Sequence, residues 1–216
     1  MPTANALEEL DRAGMRHSLC VPWDGLGETD KWAAIRHARA ALVGSTDDAT
    51  ALAIAGFVTT MLSNDHVAGL TATERALQQN PSCATAMYLG SLTNAFAGRP
   101  AVATALADRA LRLSPFDFLA YQAHFARGAA AIQSERYADA ALHLQTALQL
   151  NSNLSSLYFV AAAALAMSGQ VSDANSLART GLHMEPTFRY RMFSDLMVPE
   201  LAEKLAGGCQ RLGLLE

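Results

Sequence analysis

The chain has 216 residues, 51% of them hydrophobic, and a formal net charge of −4 at pH 7. No region holds a basic excess, which argues against a nucleic-acid ligand, since that affinity rests on phosphate neutralisation, and against docking on an anionic membrane. Cys20, Cys83 and Cys209 are odd in number and far apart, so neither a disulfide framework nor a cysteine zinc site is implied.

From the N-terminus, residues 7–19 read as a first helix, 20–30 as an irregular loop rich in acids and glycines, and 32–43 as a second helix. Together they make a degenerate helix pair over 1–47. The next stretch repeats itself. Ala76-Leu77, Ala110-Leu111, Ala147-Leu148 and Gly181-Leu182 recur at steps of 34, 37 and 34 residues, each followed by a turn: Asn80-Pro81, Ser114-Pro115, Asn151-Ser152 and Glu185-Pro186. Such a period implies stacked helical units that share one continuous core.

The copies run 48–81, 82–115, 116–152 and 153–186. First helices are expected over 48–62, 82–97, 117–133 and 153–167, and second helices over 66–79, 100–113, 137–150 and 171–184. The turns within pairs are 63–65, 98–100, 134–136 and 168–170, built from residue types that break or cap helices, and Pro100 suits the first turn of the helix it opens. Gly56 with Gly69, Gly90 with Ala103, Gly128 with Ala140, and Ala162 with Ala174 mark where paired helices cross closely. The three extra residues of the third copy fall around 116–119 and imply a longer connection. Leu201, Leu205, Cys209 and Leu212 recur at helical spacing after Pro199, which predicts a capping helix within 187–216.

The pattern resembles the tetratricopeptide repeats, units of about 34 residues. The fourth copy carries the likeness best, with Tyr158, Ala162, Gly169, Ala174 and Pro186, although Gly181 stands where that family has Ala. The resemblance implies an all-α protein, a right-handed α-solenoid of antiparallel helix pairs. More narrowly, the run from Arg109 to Asp117 and the C-terminal residues 208–216 resemble the C-terminal repeat regions of bacterial class III nucleotide cyclase-like proteins and winged-helix regulators.

By the same resemblance, the first helices line a concave groove that receives a partner. The positions so marked are Thr50, Ala53, Phe57, Thr60 and Met61 in the first copy and Ala84, Met87, Ser91, Asn94 and Ala95 in the second. The third and fourth copies supply Gln122, Phe125, Ala129, Ile132 and Gln133, then Ser156, Phe159, Ala163, Ala166 and Met167. All are uncharged, so the Lys, Arg and Asn clamp with which chaperone-binding relatives hold a terminal carboxylate is missing. The groove suits an apolar or amphipathic segment instead. The competing use of the same side chains is internal packing, including against a C-terminal helix folded into the groove.

Chemistry has little footing. The histidines at 17, 37, 66, 124, 143 and 183 lack helical metal-site spacing. The loop 23–30 lacks the order of a calcium loop, and no GxSxG, GxxxxGK or HExxH occurs. The expectation is a protein-binding scaffold or regulatory module without cofactor, metal or catalytic residues. Its partner is a protein or peptide, with self-association through the groove or the end faces as a further possibility. The alternative is a regulatory segment of a cyclase-like or winged-helix signalling protein. The longest apolar run, 157–167, is too short to span a bilayer, and Glu8, Glu9 and Asp11 stand where a signal peptide would be apolar. With the three cysteines these features suggest the cytoplasm, and the excess of Arg over Lys suggests a bacterial source.

Overall fold

The computed structural model describes residues 28–43 and 47–214. The expected helix over 7–19, most of the 20–30 loop and the groove of any pair they form lie outside the described residues. Every regular element described is a helix: α1 (Glu28–Val43), α2 (Ala49–Ser63), α3 (His66–Gln79), α4 (Ala84–Phe96), α5 (Pro100–Leu113), α6 (Ala120–Gln133), α7 (Tyr137–Leu150), α8 (Ser155–Met167), α9 (Val171–Met184), α10 (Tyr190–Ser194) and α11 (Pro199–Arg211). Residues 28–30, read from sequence as loop, form the first turn of α1.

The helix starts follow local chemistry. The Asp48 carboxylate accepts from the Thr50 and Ala51 amides at 2.8 and 3.2 Å, and Asp65 accepts from the Ala68 amide at 2.9 Å, which satisfies amides that have no partner within the helix. Pro100 and Pro199 open α5 and α11, where a missing N–H costs nothing. Between copies, the Asn80 and Asn151 side chains accept from the amides two residues on, both at 3.0 Å.

Within pairs, each turn holds one residue at positive φ: Asn64 (53°), Gly98 (74°), Glu135 (58°) and Gly169 (87°). The left-handed residue thus recurs with the repeat, and Glu135 is the one side chain there with no natural preference for that region.

The even-numbered helices α2, α4, α6 and α8 are buried nearly all round, while α3, α5, α7 and α9 bury a narrow stripe of small residues. A helix apolar on every side belongs between layers, and an amphipathic one on the outside. Close crossings set the pair geometry. A Cβ added at Gly56 would stand 2.6 Å from that of Ala72, and one at Gly69 would stand 1.9 Å from the Thr60 hydroxyl. Gly90 lies against Thr73 of the preceding copy, and Gly128 against Leu144 of its own pair.

The first three inner helices stack directly, α2 on α4 and α4 on α6. Between α6 and α8 direct packing is slight, and α11 instead packs against both. That departure from regular stacking creates the site described next.

Candidate functional site

The C-terminal segment runs back over the inner helices. Phe188 stacks on Phe159 of α8 at 3.6 Å between ring centres, with the planes 16° apart. The chain then reaches the end of α4, where the Val198 amide donates to the Phe96 carbonyl at 2.9 Å. From there α11 returns toward α8. Lys204 donates to the Gln133 carbonyl at 2.6 Å and pairs with Glu135 at 3.0 Å. Gly208 meets the backbone of Ala163, and Arg211 donates to the Ala166 carbonyl at 3.1 Å. Leu201, Leu205, Gly208 and Cys209 form its buried face.

A capping helix that merely extended the solenoid would sit on the last outer helix, α9. Instead α11 packs across α6 and α8, with Val198 just before it anchored at the C-terminal end of α4. Gly207 and Gly208 make this approach possible, because a Cβ at 208 would stand 2.5 Å from the Ala163 carbonyl oxygen. Burial desolvates the Cys209 thiol and pushes its pKa up to about 12, so the thiol is a packing group and a poor nucleophile.

This arrangement places the residues marked from sequence. Ala53, Phe57, Thr60, Met61, Met87, Ser91, Asn94, Gln122, Phe125, Ile132 and Phe159 are buried; Thr50, Gln133, Ser156 and Met167 are half-buried. Gln133 accepts Lys204 through its carbonyl, its side chain donates to the Ala95 carbonyl at 2.8 Å, and Met167 lies against Gly207. Phe125 packs edge-on against Phe96 at 5.8 Å. At the α6–α8 end of the groove, Gln133, Phe159 and Met167 are packed against the C-terminal segment of the chain itself.

Two of the buried polar side chains are incompletely paired. Asn94 donates back to Gly90, and Gln122 donates to the Tyr121 hydroxyl, but Asn94 Oδ1 and Gln122 Oε1 have no hydrogen-bond partner. A buried acceptor without a donor costs about 1–3 kcal/mol.

Arg127, the neighbour of Gly128 in α6, forms an ion pair with Asp108 of α5. That contact puts it on the outer side, next to His124 and His143, whose rings are 6.3 Å apart. No group of three or more potential metal ligands occurs among the described residues. Nor is any of their helices long and apolar enough to cross a membrane.

Phe188, Val198, Lys204 and Gly208 escaped the sequence reading as groove contacts. The adjacent glycines 207 and 208 inside a helical pattern were the available signal, since mid-helix glycine marks close packing when it is not a break.

The backbone likenesses agree with this architecture. MamA of AMB-1 superimposes with a TM-score of 0.52 at 18% identity, covering 72% of this chain and 96% of that one. YrrB, described as a TPR protein with an unusual peptide-binding site, gives 0.50 at 19% identity over 82% of this chain and 92% of its own. The fold is a tetratricopeptide-type α-solenoid. No protein-family model and no curated protein matches the sequence, so the likeness rests on the path of the chain.

Proposed function

We propose that the protein is a non-catalytic scaffold that binds an apolar or amphipathic segment of a protein partner on the inner surface of α2, α4, α6 and α8. One observation carries this reading: an amphipathic helix of the chain itself, α11, already lies on the α6 and α8 part of that surface, with Leu201, Leu205 and Cys209 on its buried face. What the surface accepts from its own polypeptide defines what it takes from another, namely a helix with a narrow apolar face and a small residue at the closest approach.

In this reading Phe125, Ile132, Gln133, Phe159 and Met167 contact the incoming helix once α11 leaves. Thr50, Ala53, Phe57, Thr60, Met61, Met87, Ser91, Asn94, Gln122 and Ser156 extend the surface. The peptide-binding site named for YrrB supports the assignment. The composition favours a cytoplasmic setting. The cyclase-like and winged-helix alternative draws no support from these neighbours.

The test uses the full chain carrying Gly208→Val and a fluorescent peptide copying residues 197–213. Alkylation of Cys209, read by mass spectrometry, reports whether α11 has left. A released variant that binds the peptide about tenfold or more tighter than the unmodified chain is the expected outcome, corresponding to at least 1.4 kcal/mol. A variant whose Cys209 is alkylated but which ignores the peptide refutes the groove. Sedimentation velocity over a concentration series identifies a second copy as the occupant instead.

A further inference from the structure

We propose a second docking site, where the start of the second copy meets the end of α5, for a partner segment that carries carboxylates beside an aromatic or aliphatic side chain. There a cleft of about 340 Å³ is lined by Pro81, Ser82, Met87, Arg109, Arg112 and Leu113.

The cleft is cationic with an apolar floor. Arg109 and Arg112 are one turn apart on α5 and share a face, and no acidic residue lines the cleft. Arg109 is fixed in place by donating to the Pro81 carbonyl at 3.0 Å. Arg112 is exposed and has no salt bridge to any described residue. Two guanidinium groups without a counter-charge around an apolar floor complement a carboxylate attached to a hydrophobic group.

Leu113 of the lining ends α5 and leads into the longer connection. Leu113 is 49% exposed, Phe118 63% and Phe116 99%, so Phe116 touches almost nothing in its own chain. These side chains are nevertheless held in place. Tyr88, the neighbour of Met87 in the cleft, donates its hydroxyl to the Ser114 carbonyl at 2.6 Å. The Asp117 carboxylate accepts from the Leu119 amide at 3.0 Å and from the Ser114 hydroxyl at 3.3 Å. A pinned loop that projects phenylalanine into water, following directly on a helix end with two arginines that have no salt bridge, has the composition of an interface centre, where aromatic residues and Arg dominate.

The experiment is a fluorescence-anisotropy titration of the full chain with a labelled Glu-Phe-Glu-Leu peptide and its Gln-Phe-Gln-Leu counterpart. The acidic peptide is expected to bind at least about tenfold tighter than the neutral one, and its affinity to fall between about 0.05 M and 0.5 M salt. The double variant Arg109→Gln, Arg112→Gln and the single variant Phe116→Ser are each expected to weaken it about tenfold with unchanged helical circular dichroism. Gly208→Val, which acts on the groove, is expected to leave it unchanged. Equal affinity for the two peptides, or affinity indifferent to the arginine and Phe116 changes, overturns the site. So does a dimer in sedimentation velocity that Phe116→Ser abolishes, because the occupant is then a second copy of this chain.

Discussion

Gly208 of α11 and Ala163 of α8 touch backbone to backbone: a Cβ at 208 would lie 2.5 Å from the Ala163 carbonyl oxygen and 2.7 Å from its Cα. No rotamer change relieves contacts with main-chain atoms, so α11 must lift if any side chain is placed there. At the adjacent position, a Cβ on Gly207 would meet only Met167, at 3.5 Å, which is ordinary contact.

The pair gives opposed expectations from one kind of substitution. Gly→Ala improves helix propensity by about 1 kcal/mol at either site. Gly207→Ala is therefore expected to hold or raise the urea midpoint. Gly208→Ala is expected to loosen α11 by about 1–3 kcal/mol, the usual penalty of overpacking, and to speed Cys209 alkylation about fivefold or more. Equal protection of Cys209 in both variants would show that α11 is not held at this contact.

The turns within pairs make a second comparison. Glu135 adopts φ 58° where two sister copies have Gly98 and Gly169. Glu135→Gly is expected to relieve strain of about 1–2 kcal/mol, less a few tenths for the exposed ion pair with Lys204 and up to about 1 kcal/mol for the added chain entropy of glycine. The net result is a small gain in the denaturation midpoint. Gly98→Ala is expected to lower it, because the residue is left-handed and its new Cβ would press Val198 at 3.2 Å. A stabilised Gly98→Ala would contradict the conformational argument.

Phe159 illustrates what burial does to a groove residue. Its ring stacks on Phe188, and a Cβ on Gly181 would come within 2.9 Å of it. From sequence alone, Phe57→Glu or Phe159→Glu abolishes partner binding and spares the fold. With the two side chains 2% and 1% exposed, charge at either site now predicts lost stability first. Phe159→Ala is expected to cost about 3–5 kcal/mol, read as an early thermal transition. A transition unchanged within a degree or two would mean the ring is more accessible than its packing indicates.

Much of this was legible in the chain, for physical reasons. Helix pairs repeat because each must bury the same stripe, so the recurring Ala-Leu steps, the crossing glycines and the polar turns all leave a period in the sequence. The inner helices were identifiable for the same reason, but their accessibility was not. Phe125 or Ile132 looks alike on an open groove and under a helix, since both uses demand an uncharged side chain. What decides between them is a contact between segments about 45 residues apart, such as Gly208 with Ala163 or Arg211 with Ala166, which no local period encodes. The inserted loop was visible as three extra residues, but only the fold shows that it leaves Phe116 almost fully exposed.

The histidine pair sets the expected pH dependence. His124 and His143 both have pKa values lowered from 6.5, first by desolvation and then by the Arg127 guanidinium; for His143, Asp139 and Asp108 work in the opposite direction, and Arg136 with Arg127. His124 Nδ1 is buried without a hydrogen-bond partner, so a proton added there gains no acceptor. Since the folded state holds these groups neutral, the unfolded chain binds more protons below its own pKa, and stability rises with pH through that range. The contribution is intact above about pH 7 and is lost as the pH falls through 6.5 toward the lower folded-state values. The thermal midpoint is therefore expected to drop between about pH 7.5 and about pH 5.5, before carboxylate protonation begins. The double variant His124→Gln, His143→Gln is expected to flatten that slope, with His66, also lowered by desolvation, supplying part of the remainder. A wild-type midpoint that rises on acidification, or a double variant with an unchanged slope, would place the pH dependence elsewhere in the chain.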